Sequence, residues 1–165
     1  MTNKPKLINP LQFILAGNAI FNCTNTNTQQ GYTYKVTKSK NNDCIYFVSI
    51  KIDNPDTESY NQYEYKYIGI LKLDTNNNNQ PQYIYSNKSE LSKDSTGVKG
   101  FDYIIKHLVS DTLPDIFKIT HRGKCGRCGR SLTDEKSILL GLGSECVKIM
   151  NREKKKGKQN RNEFK

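Results

Sequence analysis

Two cysteines with two residues between them, Cys125 and Cys128 in the stretch HRGKCGRCGR at residues 121 to 130, constrain this chain more than any other feature. A glycine follows each cysteine, at Gly126 and Gly129, so the segment can turn tightly with both sulfurs facing one point and backbone N–H groups within reach of them. That is the half-site of a zinc knuckle. No second C-x2-C pair exists in the 165 residues, so the remaining ligands come from elsewhere. Cys146 is the one cysteine downstream, with 17 residues between it and Cys128. In LTDEKSILLGLGSEC, Thr133 is read as the cap of a short helix with acids at 134 and 135 in its first turn. Gly141 and Gly143 then turn the chain back, and Ser144 caps a final helix that begins ECVKIM. Cys146 falls in the first turn of that helix, where the dipole and free N–H groups favour a thiolate. His121 is assigned as the fourth ligand, giving H-x3-C-x2-C-x17-C. The competing assignment makes His121 a packed strand-end residue, with Glu145 or an outside group completing the shell. Three cysteines and a histidine would fill a tetrahedral Zn2+ shell, so one structural ion is expected rather than a catalytic site with an open position.

The rest of the sequence predicts an α+β domain, a small antiparallel β-meander with one packed helix, followed by this zinc knuckle. INPLQFILAGN reads as a short helix with Asn9 as N-cap, Pro10 at its first position and Gly17 ending it. AIFNCT and YTYKVTK flank the polar TNTNTQQG as a hairpin, CIYFVSIKI continues the sheet, and YEYKYIGILKL and YIYSN follow. Simple alternation places Tyr63, Tyr65, Tyr67, Leu71 and Leu73 on one side, expected to be the inner face; the same tyrosines could alternatively stack on bases. Val98, Phe101, Ile105 and Leu108 recur at helical spacing over 97–110, capped by Ser95 or Thr96. DIFKITH forms a last strand in which Phe117, Ile119 and His121 share the core-facing parity. Residues 1–120 therefore form the α+β domain, 121–150 the zinc module packed on it, and 151–165 a basic tail expected to be disordered.

Five cysteines, three of them within the last 41 residues, favour metal over disulfide in a reducing compartment, with Cys23 and Cys44 as small buried core residues. No apolar run approaches the length of a membrane span, and MTNKPKLINP lacks the apolar core of a signal peptide, so a soluble cytoplasmic protein is expected.

FILAGNAIFNC, GYTYKV, IYFVSI, YIGIL, VKGFDYIIKHL and LPDIFKITHRGKCGRCGRSLTDEKSILLGLGSEC, taken in order, resemble a family of uncharacterised phage and mobile-element proteins. That family ends in a zinc finger of the form H-x-G-x-C-x2-C-G-R-x-L-T, then a serine, two glycines with one residue between them, a proline and a last cysteine. The resemblance covers roughly residues 11–148. His121, Gly123, Cys125, Cys128, Gly129, Arg130, Leu132, Thr133, Ser137, Gly143 and Cys146 match its pattern, while Ser144 stands where the family usually has proline. The resemblance implies a zinc site and a phage origin, and it brings no activity with it.

Charge suggests the partner. Residues 1–117 hold 12 Lys/Arg against 11 Asp/Glu, whereas 118–165 hold 14 against 5. Such a lobe can bind phosphates through counterion release without reading sequence. Arg122, Lys124, Arg127 and Arg130 around the knuckle, with Lys148, Arg152, Lys154, Lys155, Lys156 and Lys158 beyond it, are the expected contacts to DNA or RNA. A second reading makes the chain a phage accessory factor that binds a protein, inhibiting a host defence complex or polymerase. A third takes Pro55-Asp56 and Glu64-x-Lys66 as the PD…E-x-K arrangement of a Mg2+-dependent nuclease, although the gap between them is short. No P-loop or Ser-His-Asp set occurs, and the expectation is a binding protein rather than an enzyme, with no small-molecule substrate and no membrane partner.

Overall fold

The computed structural model describes the backbone of residues 7–53 and 63–163, and side chains within residues 7–52 and 65–153. Its centre is one antiparallel sheet of six strands: β1 (Asn18–Asn25), β2 (Gly31–Lys38), β3 (Ile45–Asp53), β4 (Tyr63–Asp74), β5 (Gln80–Tyr85) and β6 (Phe117–His121). Their order is β5-β4-β3-β2-β1-β6, a five-stranded meander whose first strand receives β6 on its free edge. The expected α+β architecture with a C-terminal cysteine cluster is what the chain forms.

Alternation in β1 and β2 sends Ala19, Phe21 and Cys23 and their cross-strand partners Val36 and Tyr34 into the core. In β3 the core residues are Tyr46, Val48 and Ile50. Helix α1 (Pro10–Ile14) starts as expected, with the Asn9 side chain accepting from Gln12 N–H at 3.2 Å and proline at its first position. Phe13 from this helix meets Phe21 edge-on, at 6.5 Å between ring centroids. Helix α2 (Thr96–Val109) follows N-cap Ser95 and buries Val98, Phe101, Ile104 and Ile105, and it covers the same sheet face. Tyr34 pins it by donating its hydroxyl to the Gly97 carbonyl at 2.7 Å. Both helices lie on one face of the sheet, and among the described residues the other face carries none.

The tyrosine stripe lies opposite to its expected position. A bulge opposite Val48/Ser49 inserts an extra residue into β4, and Gly69 beside it takes a φ of 146°. Parity inverts there. Tyr65 and Tyr67 pair with Lys51 and Ser49 on the outer face, whereas Ile68 and Leu71 are buried on the inner one. A Cβ at Gly69 would collide with the Ile84 carbonyl of β5, so Gly69→Ala should lower stability by about 2 kcal/mol or more. Chemical denaturation of that variant measures the loss.

Cys23 is a core residue as expected, and burial pushes its thiol up to about 12. Cys44 is not. It lies half-buried just before β3, where its N–H donates to the Asn42 side chain in a polar turn. Pro55 and Asp56 fall outside the described residues, as does the Glu64 side chain, and Lys66 is ion-paired with Glu90 at 2.6 Å.

Candidate metal centre

β6 delivers the chain to the module at His121, and the knuckle then closes on its own backbone. Cys125 N–H donates to the Arg130 carbonyl at 2.8 Å, Gly129 N–H to that of Cys125 at 3.0 Å, and Leu132 N–H to that of Gly123 at 2.8 Å. Gly123 and Gly129 both have a φ of 79°, the left-handed turn conformation that glycine takes without strain. Helix α3 (Glu135–Leu140) is capped by Asp134, one residue later than expected, because the Asp134 carboxylate accepts the Ser137 N–H at 3.0 Å. The Ser137 hydroxyl, and then that backbone bond, hold the Asp134 carboxyl below its ordinary range. Gly141 ends α3 in the left-handed conformation at φ 71°, and helix α4 (Ser144–Glu163) begins three residues later.

These turns bring the Cys125, Cys128 and Cys146 sulfurs together, all within 4.8 Å of one another. Cys125 and Cys146 are buried beside Leu142 and Ala16, while Cys128 is exposed at the rim. Arg127 N–H and Gly143 N–H each lie 3.4 Å from the Cys125 sulfur as donors. Burial alone would raise the Cys125 thiol, but backbone N–H groups of Cys128, Gly143 and Arg127, with the Cys146 thiol, outweigh it and bring the value down to about 7. Cys146 moves the other way, up to about 11, through burial and then the two neighbouring sulfurs. The helix N-terminus therefore does not make Cys146 the acidic thiol; Cys125, at which the amides point, takes that role. Three thiols converging under fixed N–H donors suit a soft or borderline cation.

His121 does not join them. Its ring is 1% exposed, and both nitrogens are engaged elsewhere: Nδ1 accepts Gly123 N–H at 2.9 Å, and Nε2 lies 2.6 Å from the Ile138 carbonyl. This pair of bonds fixes the Nε2–H tautomer and ties β6 to α3. The expected core-facing parity of His121 is correct, with Phe21 as its cross-strand partner and Phe13 against its ring at 5.7 Å between centroids. The fourth-ligand assignment would place one of these nitrogens on the metal; here both meet backbone groups, apart from the three thiols. Glu145, the other candidate, is exposed and lies 3.6 Å from Lys148.

Besides their turns, Gly126 and Gly141 dock the module on the sheet domain. Gly126 N–H donates to Gly141 O at 2.8 Å, and Gly126 O accepts from Asn18 N–H at 2.7 Å. A Cβ on Gly126 would stand 2.7 Å from the Phe13 ring, and one on Gly141 would stand 2.5 Å from it. Alternation and spacing carry no sign of this contact. A glycine packed under an aromatic ring from a distant helix is visible only in three dimensions.

Of the expected basic contacts, Arg122, Lys124, Arg130, Lys148 and Arg152 are exposed around the cluster. Arg127 is drawn back by an ion pair with Glu153 at 3.1 Å. Lys154, Lys155, Lys156 and Lys158 stand on the backbone of α4, which runs on through Glu163 where a disordered tail was expected from residue 151. Lys, Arg, Glu and Gln are good helix formers, the costly first turns are fixed by the docking of Cys146 and Met150, and the Arg127–Glu153 pair clamps the next.

No helix among the described residues is long and apolar enough to cross a membrane. No curated protein and no solved structure matches the chain. One family model does, over residues 119–151, the span from the end of β6 through the three cysteines to the exposed turn of α4, and it describes a family of unknown function, DUF6011.

Proposed function

We propose that the chain is a zinc-dependent nucleic-acid-binding protein, in which one structural Zn2+ on Cys125, Cys128 and Cys146 organises a basic lobe that grips phosphates with little sequence preference. The supporting observation is the placement of the cysteine cluster at the start of α4. A metal there cross-links the knuckle to the first turn of a helix whose backbone carries the basic run. When bound, zinc would supply a fixed cross-link and neutralise the thiolates. The residues of the chain do the rest. Arg122, Lys124 and Arg130 are exposed on or beside the knuckle, and positions 148, 152, 155 and 156 recur at i, i+4, i+7 and i+8 along α4. Phage origin, suggested by the family resemblance, suits such a small accessory binding protein.

Fluorescence anisotropy with a labelled 20-base-pair duplex tests this. Affinity should fall steeply with salt, and replacing Arg122, Lys124 and Arg130 together by Gln should reduce the log–log slope by about one unit per lost phosphate contact. No binding at low salt, or binding indifferent to salt, would overturn the proposal and favour a protein partner.

Zinc uptake must displace thiol protons. With Cys125 held below the ordinary thiol range, the total number of protons released on zinc uptake should fall as pH rises through that lowered value. The sign follows from the depressed value: the thiolate already exists above it and has to be made below it, so zinc affinity weakens as pH falls. Calorimetry in buffers of different ionisation enthalpy counts these protons.

A further inference from the structure

The sheet face that α1 and α2 leave uncovered carries aromatic rings among lysines. Phe47 is 44% exposed and Ile84 41%, and register aligns Thr37, Phe47, Ile70 and Ile84 in one row across four strands. Tyr67, which pairs with Ser49, places its ring 6.5 Å from that of Phe47. Tyr65 lies one outward position further along β4, and the Lys35 ammonium sits over its ring at 5.6 Å from the centroid. Lys35, Lys51, Lys72 and Lys118 all occupy outward positions, on β2, β3, β4 and β6. Among the described side chains, the acid sharing that parity, Asp74, stands at a strand end.

We infer that this face is a platform for single-stranded nucleic acid, with Phe47 and Tyr67 stacking on unpaired bases and the lysines meeting the phosphates between them. The chemistry selects the occupant. An exposed and a half-buried ring interleaved with cations match a polymer that alternates flat π-faces with negative charges. In a duplex the base faces are covered by their neighbours, so these rings add nothing to duplex binding. The bulge at Gly69 is what makes the platform, because it turns Tyr65 and Tyr67 outward while Ile68 and Leu71 fill the core. This inference rests on the nucleic-acid reading above and adds a second surface, separate from the knuckle, that sets the preference for single strands.

The test compares a labelled dT 15-mer, an rU 15-mer and a 20-base-pair duplex, using anisotropy and the quenching of tyrosine emission, which is accessible because the chain has ten Tyr and no Trp. Phe47→Ala and Tyr67→Ala should each weaken single-strand binding about tenfold and leave duplex affinity unchanged, while Tyr67→Phe should retain it. Lys72→Gln should reduce the salt slope for single strands by about one. Circular dichroism melts confirm that the variants fold, and Phe47→Ala, at the more exposed ring, carries the test if Tyr67→Ala does not. A stronger effect on rU than on dT assigns the platform to RNA, and the reverse assigns it to DNA. Equal loss on duplex and single strand, or no loss on either, overturns the platform while leaving the basic lobe intact. A shift from dimer to monomer in Phe47→Ala without loss of single-strand binding overturns it in favour of a self-association face. Absence of all nucleic-acid binding in the unaltered protein overturns both readings.

Discussion

Cys125→Ser is expected to strip the chain of zinc and to melt residues 121–150 while the sheet survives. Cys125 is the buried thiol that Arg127 and Gly143 N–H groups approach, so it is the thiolate best prepared for a cation. A structural zinc contributes on the order of 10 kcal/mol to folding, and the small apolar cluster of Ala16, Leu142, Leu132, Leu140, Val147 and Met150 cannot replace that. The six strands hold their own hydrogen bonds and their own core, so unfolding should split into two steps. Hydrogen exchange would show this as lost protection in the knuckle, α3 and the start of α4, with β1 to β4 unchanged. Duplex affinity should fall with the module, since Arg122, Lys124 and Arg130 lose their common frame. A Cys125→Ser protein that keeps one zinc and full protection would contradict this.

His121→Ala separates fold from ligation. The ring is buried against Phe13, bonded to Gly123 N–H and placed at 2.6 Å from the Ile138 carbonyl. Its removal leaves a cavity and two unpaired backbone groups, with an expected cost of about 3 to 5 kcal/mol. That is comparable with the whole stability of many domains, so the measurement belongs at low temperature. Zinc content of the folded fraction should stay at one per chain, because the ring holds β6 to α3 and not the metal. Loss of zinc from His121→Ala that remains folded would return the histidine to the shell.

His121 also marks the limit of what the sequence discloses. Its parity on β6 was legible, because Phe117 and Ile119 precede it in alternation. Its partner Ile138 comes from a helix 17 residues away and uses a backbone carbonyl, which leaves no trace in side-chain pattern. Asn9-Pro10 was equally legible as a helix start, since a cap is a local arrangement. Counting by twos failed at the bulge beside Gly69, where one extra residue puts Tyr65 and Tyr67 on the face opposite to Leu71 and Leu73. A glycine inside a strand pattern was the available cue. The three cysteines were readable from spacing because tight turns at glycine leave the sulfurs few places to go. The length of α4 was not, because a run rich in lysine is helix or coil according to what anchors its first turn, and the anchor is tertiary: Cys146 and Met150 against the module, and Glu153 against Arg127.

If these three thiolates hold one zinc ion, its neighbours can be counted. X-ray absorption at the zinc edge of the purified chain counts sulfur neighbours directly. Three sulfurs at about 2.3 Å with one lighter neighbour are predicted. Two sulfurs or fewer, or protein that is metal-free and still folded in strong chelator, would contradict it.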